Sequence, residues 1–442
     1  MQASELFNQP NTILLDGGMG TMLQAAGMKL GTRPEDLNLE NPELIRSIHA
    51  KYAAAGSRVV NANTFGASPH KLADSKYTLE EVITAGIANC KQAVAPYGAL
   101  VTLDVGPLGE LLEPSGTLAF EDAVAEYGRI VRAGVAAGAD ILYFETFTDL
   151  YEMKAALLAA KENSTLPIMA SMSFEANGRT FTGCTVESFA ATARGLGANA
   201  VGINCSLGPK EIFPMAKRLA EAVPGDFPVF VKPNAGLPRA DGSGYDITPQ
   251  LYAMQMKPYR ELHLFAAGGC CGTTPAFIAK LHVTFSPLAP ADKISIRRSC
   301  LCTPVRFVEV NGITVVGERI NPTGKKRLQQ ALRDGDSAYP CTQAVAQAEA
   351  GAQVLDVNAG LPGIDEAATL EQLVKDLQAV TDLPLQLDSS NPEALSRALR
   401  IYNGKPIVNS VNGETETLEK ILPLCKKYGA AVVGLALDKG GI

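Results

Sequence analysis

Two adjacent cysteines follow an apolar run near the middle of the sequence. The segment LHLFAAGGCCGTTP, residues 262–275, begins like a buried strand and ends with Cys270 and Cys271 between glycines. Consecutive strand residues point to opposite faces, so both thiols can reach one ligand only where glycines break the strand. A third cysteine, Cys205, lies in the segment GINCS. Three thiolates would repel one another without a cation, and zinc binds sulfur in tetrahedral geometry.

Three protein ligands would leave one position open, which is typical of a catalytic zinc site rather than a structural one. Spacing alone also permits a redox pair at the doublet, or simple packing at Cys205. Cys300 and Cys302 form a CxC pair, but no second pair or histidine lies near them in the sequence. The other cysteines stand in patterns typical of small buried residues: Cys90, Cys184, Cys341 and Cys425.

The elements that carry these cysteines repeat regularly. Strand-like runs alternate with helical patterns, which predicts parallel βα units, and eight units predict a closed (β/α)8 TIM barrel. In this fold the site is built where strands end, and here those ends carry the polar residues. The eight runs cover residues 12–18, 58–65, 100–107, 140–147, 167–174, 199–206, 228–236 and 262–271.

A proline-bearing, basic stretch then interrupts the alternation of strand-like and helical segments, after which the βα pattern restarts. We predict a first domain at 1–285, a linker of extended structure at 286–312 and a second domain at 313–442. Five strands are expected in the second domain, which predicts an α/β barrel whose last part is absent. The five strand-like runs of the second domain cover residues 314–321, 352–360, 384–390, 406–413 and 430–438.

Composition narrows the class of function. The chain has 442 residues, 46% of them apolar and 19% charged, and a net charge of −7. The negative charge disfavours a nucleic-acid surface, which needs clustered Lys and Arg. No apolar run is long enough for a membrane span, and the first residues lack a signal-peptide pattern, so we expect a cytoplasmic protein. Its nine cysteines then favour metal or thiol chemistry over disulfides.

Several motifs carry a family resemblance. With DGGMGT, NTFGAS, ETF, GINCS and GGCCGTTP at successive strand ends, residues 1 to about 285 resemble the homocysteine-binding zinc barrel of thiol S-methyltransferases. Residues 313–442, with GERINPTG, LDVNAG, QLDSSN and VNSVNGE, resemble the first part of a pterin-binding methyltetrahydrofolate barrel. The two domains, in this order, resemble the N-terminal half of cobalamin-dependent methionine synthases.

The resemblance implies roles in the first domain. Cys205, Cys270 and Cys271 would hold zinc and activate the homocysteine thiol. Glu145 and Asp16 match the family's clamp for the substrate ammonium group, although a strand-end cap or an ion pair is the alternative for both. The amides of the turn at Gly17 and Gly18, together with Thr64, would receive the substrate carboxylate. Asn234 would fill the fourth zinc position when substrate is absent.

It also implies roles in the second domain. Asp388 and Asn409 match the family's pterin-binding positions, and further polar residues at neighbouring strand ends would line the same pocket or its rim. The family's later pterin ligands have no counterpart in this sequence, so we expect this chain not to bind methyltetrahydrofolate usefully by itself. The additional lining residues are Glu318, Asn321, Asp356 and Asn358.

The implied activity is a zinc-dependent homocysteine S-methyltransferase that makes methionine. Its methyl group would come from methyltetrahydrofolate through cobalamin. The family's Asp-x-His-x-x-Gly cobalamin loop is missing around all four histidines, so cobalamin is expected on another domain or protein. Two alternatives stay open: a methyltransferase with a direct donor such as betaine or S-methylmethionine, and a zinc-stabilised binding protein without turnover.

Overall fold

The computed structural model describes residues 3–9, 11–29, 31–239, 244–286, 298–438 and 440–441. The chain forms two compact units. The first comprises Met1–Thr182 and Ala198–Ile296, and the second comprises Gly183–Gly197 and Arg297–Ile442. Residues 287–297 of the predicted linker lie outside the described residues.

The first unit contains eight short parallel strands, each within one of the predicted runs, so the predicted strand series is confirmed. Their order in the sheet is β1-β8-β7-β6-β5-β4-β3-β2. The strands are β1 (Ile13–Leu14), β2 (Val59–Asn61), β3 (Leu100–Val105), β4 (Ile141–Phe147), β5 (Ile168–Met172), β6 (Ala200–Asn204), β7 (Val229–Lys232) and β8 (Ala266–Ala267).

The sheet closes on itself because β1 pairs with β8 on one side and meets the start of β2 on the other. Ile13 pairs with Ala266. On the opposite side, Arg58 N donates to Leu14 O at 2.8 Å. The eight strands therefore form a nearly closed TIM barrel.

Helices follow the strands and cover the barrel. Several begin at a side-chain cap that satisfies a free backbone N–H. Thr78 and Glu81, for example, form a reciprocal capping box at the start of the helix Leu79–Val94. The helices of this unit are α1 (Ala3–Leu6), α2 (Met19–Ala25), α3 (Leu37–Glu40), α4 (Pro42–Ala54), α5 (Leu79–Val94), α6 (Phe120–Ala136), α7 (Leu150–Asn163), α9 (Pro209–Ala222), α10 (Pro249–Met256) and α11 (Pro275–Phe285).

The barrel interior changes from apolar to polar along the strands. Its apolar layer includes Ile141, Tyr143, Met169 and Phe230, all of them buried. Toward the strand ends, inward positions carry polar groups that lie next to one another through the parallel register. For instance, Asn61 pairs with Thr102 and Asn204 pairs with Lys232. The polar layer lies at the end of the barrel where TIM-barrel sites are built.

The second unit contains a parallel sheet of five strands, as predicted from the restart of the βα pattern. Its order is β11-β12-β13-β14-β15. The strands are β11 (Val316–Ile320), β12 (Val354–Val357), β13 (Leu385–Asp388), β14 (Ile407–Val411) and β15 (Ala431–Gly434). Its helices are α8 (Val186–Gly195), α12 (Lys326–Asp334), α13 (Ala338–Glu349), α14 (Glu366–Val380), α15 (Pro392–Ile401) and α16 (Thr415–Tyr428).

Part of the predicted linker forms a β-hairpin. Strand β9 (Cys300–Cys302) pairs with β10 (Phe307–Glu309) in antiparallel register. Cys302 exchanges backbone hydrogen bonds with Lys405, and Tyr402 donates to Cys302 O at 3.0 Å. Both cysteines are buried. They pack with Ala191 and Phe307 in a small apolar cluster, and in the described part of the chain they belong to no potential metal-ligand group. Among the described residues, no helix has the length and apolar character needed to span a membrane.

Candidate functional site

The three predicted thiols meet at the polar end of the barrel. Cys205 follows directly after β6, and Cys270 and Cys271 follow β8. Cys205 Sγ and Cys271 Sγ are 3.9 Å apart. All three sulfur atoms lie within 4.8 Å of one another, and all three residues are partly buried. The structure therefore brings together the three cysteines that the sequence singled out.

An unusual backbone conformation turns Cys205 toward the doublet. Cys205 and Ser206 have φ values of 63° and 59°. This left-handed region is costly for residues with a Cβ and persists only where the surroundings hold it. Cys205 N donates to Lys232 O at 3.1 Å, and Leu207 N donates to Cys205 O at 2.7 Å. Such strain is concentrated at functional sites, which fits a role for this turn.

Hydrogen bonds from the β7 end hold the cysteine doublet in place. Cys270 N donates to Pro233 O and Ala235 N donates to Cys271 O, both at 2.9 Å. Asn234 Oδ1 accepts from Cys271 N at 3.1 Å. Asn234, predicted as a substitute zinc ligand, thus has its side-chain oxygen on the backbone of Cys271.

The glycines around the doublet allow close backbone packing. A Cβ on Gly18 would lie 2.8 Å from Cys270 O, and one on Gly17 would lie 2.6 Å from Thr273 Oγ1. Gly272 has a φ of 78°, and a Cβ there would lie 2.2 Å from the Tyr245 ring. The DGG and GGCCG segments therefore need glycine so that two turns can fit against each other.

The thiols interact strongly with one another. Hydrogen bonds from Cys205 and Cys270 lower the pKa of Cys271 to about 3. Hydrogen bonds with Cys205 and Cys271 also raise the pKa of Cys270 well above its usual range. Burial, followed by the charge of Cys271, raises the pKa of Tyr245 to about 12. Without a cation, the cluster therefore favours one thiolate shared by three sulfur atoms.

Asp16, whose backbone contacts Gly269, forms a buried ion pair. Its Oδ1 accepts from Lys232 Nζ at 3.0 Å, and its Oδ2 accepts from Asn61 N at 2.8 Å. Burial alone would lower the pKa of Lys232, but the charges of Asp16 and Glu145 raise it well above its usual value. Asp16 thus adopts the ion-pair alternative for this position, and Lys232 neutralises its charge.

Glu145 lies between two side-chain amides. Its Oε1 accepts from Asn61 Nδ2 at 3.2 Å, and its Oε2 accepts from Asn204 Nδ2 at 2.7 Å. Glu145 is 7% exposed and has no ion-pair partner in the described part of the chain. A buried carboxylate held by neutral groups favours a cationic ligand, because burial of an unpaired charge is costly.

Thr64 is engaged with β3. Its hydroxyl donates to Asp104 O at 2.8 Å and accepts from Asp104 N at 3.1 Å. Gly18 N similarly donates to Thr273. Thr64 and Gly18 N, two of the three predicted carboxylate donors, thus already have partners within the chain.

Sequence reasoning missed four residues of this site: Asn61, Asp104, Asn204 and Lys232. Signals in the sequence point to two of them. Lys232 is a charged residue inside the apolar run PVFVKP, and Asn204 directly precedes the cysteine of GINCS. Asn61 and Asp104 stand at strand ends that carry polar residues, but nothing in their spacing separates them from rim residues.

The second unit brings most of the predicted pterin-pocket residues together. Asp388 Oδ2 accepts from Asn358 Nδ2 at 3.0 Å and lies 3.5 Å from Asn321 Nδ2. Asn409 lies beside Asp388 in the parallel register. Glu318 is more exposed and lies 4.0 Å from Lys325 Nζ. The strand ends thus present a carboxylate surrounded by amides.

Asp356 lies deeper in this group. Its Oδ1 accepts from Gln386 Nε2 at 2.5 Å, while its buried Oδ2 has no hydrogen-bond partner in the described part of the chain. Burial, opposed by the hydrogen bond from Gln386 and aided by the charges of Asp388 and Glu318, raises the pKa of Asp356 to about 6. Asp356 is therefore easier to protonate than an ordinary aspartate.

Comparison with known families assigns both units. The family model for homocysteine S-methyltransferases matches residues 13–285. A second model, for pterin binding enzymes, matches residues 317–440. The two matches occur in the order that the motifs suggested.

Individual relatives agree with these matches. Methionine synthases of Mycobacterium tuberculosis and Mycobacterium leprae are 30% and 29% identical to this chain, over 96% of its length. The chain spans 38% of the length of each.

Solved structures are also similar. The metallated form of the homocysteine methyltransferase MmuM from Escherichia coli has 26% identity and a TM-score of 0.55. The similarity covers 63% of this chain and 98% of MmuM. Because the first family model covers more than half of the residues, the chain belongs to the homocysteine S-methyltransferase family.

Proposed function

We propose that this chain transfers a methyl group to the sulfur of homocysteine and so forms methionine. One observation carries the proposal: three cysteine sulfur atoms within 4.8 Å of one another lie at the polar end of the family barrel. Glu145, held by Asn204, stands beside them. The site thus combines ligands for a thiophilic metal with a group suited to an amino acid.

The cluster fits zinc. Cysteine thiolates are its preferred soft ligands, and three of them would leave one position for substrate. Asn204 Nδ2 is 3.9 Å from Cys270 Sγ, which places an N–H donor beside this sulfur ligand. When bound, zinc would keep the homocysteine thiol ionised at neutral pH, where a free thiol with a pKa of about 8.5 is mostly protonated.

The chain's own residues would orient the amino-acid end of homocysteine. Glu145 is a buried carboxylate that accepts hydrogen bonds from the side-chain amides of Asn61 and Asn204, so it would receive the substrate ammonium group. Asp16 and Lys232 form an ion pair at 3.0 Å, neutralise each other and would line the site without binding the substrate charge. The turn at Gly17 and Gly18 remains the candidate for the substrate carboxylate. Binding would require local rearrangement, because Gly18 N already donates to Thr273.

We further propose methyltetrahydrofolate as the primary methyl source, with cobalamin carried by another domain or a cytoplasmic partner. The pterin-family match to residues 317–440 supports this part, as do the methionine synthase relatives. Asp388 would bind the N–H edge of the pterin, with Asn321, Asn358 and Asn409 beside it. Asp356 and Glu318 would line the same pocket.

The direct test is methionine formation from L-homocysteine by the zinc-loaded chain. Free methylcobalamin is supplied as donor, with betaine and S-methylmethionine in parallel assays. We expect turnover with methylcobalamin, and we expect Cys271→Ala to abolish it. Cys341→Ala is the matched control, because Cys341 is a half-buried cysteine of α13 outside the cluster.

Each alternative has its own outcome. Turnover with betaine or S-methylmethionine alone would replace the cobalamin route with a direct donor. No turnover with any donor, together with unfolding of the first unit on zinc removal, would identify a zinc-stabilised binding protein.

A further inference from the structure

Two carboxyl groups face each other at the strand ends of the first unit. Asp104 lies beside Tyr143 in the register of β3 and β4, and Glu145 lies two residues further along β4. Alternate residues of a strand share a face, so the two carboxyl groups point to the same side of the sheet. Among the neighbouring side chains, Glu145 interacts most strongly with the Asp104 carboxyl group. Asp104 is 6% exposed and Glu145 is 7% exposed.

Their hydrogen bonds are unevenly distributed. Glu145 accepts one amide hydrogen on each oxygen, from Asn61 and Asn204. Asp104 Oδ1, in contrast, is buried and has no hydrogen-bond partner in the described part of the chain. Two ionised carboxylates are acceptors only, so a bond between them requires a proton on one.

The charges around Asp104 favour its neutral form. Glu145 and Tyr143 face it from β4, Asp16 faces it from the end of β1, and Lys232 faces it from β7. Burial raises the pKa of Asp104 well above its usual range, and the charge of Glu145 adds to this effect. Lys232 acts in the opposite direction, but its ammonium group is already paired with Asp16 at 3.0 Å. The neutral Thr64 hydroxyl contacts the backbone of Asp104.

We propose that Asp104 is a second carboxyl group of the amino-acid ammonium site and gives up a shared proton when the ligand binds. In the free protein, Asp104 donates this proton to Glu145. When an ammonium group enters, the proton leaves to water, and both carboxylates accept N–H hydrogens of the ligand. The net charge of the buried group is unchanged, because one positive charge replaces another. This inference rests on the proposed function and extends it to a residue outside the predicted clamp.

Proton release during ligand binding measures this exchange. L-methionine is the most suitable probe because it has the ammonium group but no ionisable thiol. Calorimetric titration of the zinc-loaded full chain, in buffers with different ionisation enthalpies, counts the protons released. We expect about one proton per methionine near pH 7, with the dissociation constant falling up to about tenfold per pH unit as pH rises.

Asp104→Asn should bind L-methionine with almost no proton release and a flat pH dependence. Asp122→Asn changes an exposed aspartate of α6 and should behave like the unmodified chain. The analogue 4-(methylthio)butanoate lacks the ammonium group and should release no proton on binding. Circular dichroism checks that both variants are folded.

The outcomes separate this inference from the proposed function. If neither L-methionine nor L-homocysteine binds the unmodified chain, the proposed function fails and the inference fails with it. If L-methionine binds without releasing a proton, only the inference is overturned, whether or not Asp104→Asn folds. Equal proton release by the unmodified chain and a folded Asp104→Asn variant would also overturn it.

Discussion

Asn204 donates to Glu145 Oε2 at 2.7 Å, and the next residue in the chain is Cys205. One strand end therefore sets the position of both the carboxylate and the first thiol of the cluster. Asn204 Oδ1 also accepts from Thr146 N and Ser171 Oγ, which fixes the orientation of the amide. The distance between the Glu145 carboxylate and the cysteine cluster is thus determined mainly by the ends of rigid strands.

Glu145→Gln should weaken L-homocysteine binding by about 1.5–3 kcal/mol, the range for a hydrogen bond to a charged group. Zinc content should not change, because Glu145 is not one of the three cysteines. Calorimetry on the zinc-loaded protein measures the affinity, and Glu221→Gln, on the exposed face of α9, is the control. An unchanged affinity would assign Glu145 a purely structural role.

Lys232→Met should destabilise the first unit by about 3–5 kcal/mol, because it leaves the buried Asp16 carboxylate without its cation. Adding Asp16→Asn should recover part of this loss. Urea unfolding measures both effects. The control is Lys217→Met at an exposed pair on α9, where the change should be under about 1 kcal/mol. A small effect of Lys232→Met would show that the ion pair is well solvated.

Gly18→Ala should disturb the cysteine doublet, because the new Cβ would lie 2.8 Å from the carbonyl oxygen of Cys270. We expect a cost of about 1–3 kcal/mol and weaker zinc binding, measured by competition with a chromophoric chelator. Gly20→Ala is the matched control within the same segment, since its Cβ would contact nothing within 4 Å. Equal zinc affinities for the two variants would contradict the close packing of the turns.

Asp356→Asn should stabilise the second unit at pH 7.5 but not at pH 4. The folded-state pKa of about 6 lies above the ordinary value of 3.8, so ionisation of Asp356 costs stability. This cost begins as pH rises past the ordinary value and is complete above pH 6. Hydrogen exchange of peptides from β12 and β13 in urea measures it, with the exposed Glu419→Gln as control. A gain at both pH values would point to another cause.

The strand positions were predictable because each strand is a short apolar run that ends in polar or glycine residues. All thirteen βα strands, eight in the first unit and five in the second, lie within their predicted runs. The thiol cluster was also predictable, since Cys205, Cys270 and Cys271 end strands of one barrel.

Other features depend on contacts between distant segments. The pairing of Asp16 with Lys232 joins residues 216 positions apart, and no local pattern links them. The hairpin of β9 and β10 was predicted only as an extended linker. Its prolines and basic residues are typical of a linker, and its two strands are too short to give a clear strand pattern. The carboxyl pair of Asp104 and Glu145 is visible only once the register of β3 and β4 is known.

The most direct test of the central claim is zinc K-edge X-ray absorption spectroscopy of the zinc-loaded chain, with and without L-homocysteine. If Cys205, Cys270 and Cys271 hold a zinc ion with one exchangeable position, the fit should give three sulfur ligands and one lighter ligand. Addition of L-homocysteine should raise the count to four sulfurs, and Cys341→Ala should behave identically. Four sulfur ligands before homocysteine is added, or a spectrum that homocysteine leaves unchanged, would contradict the account.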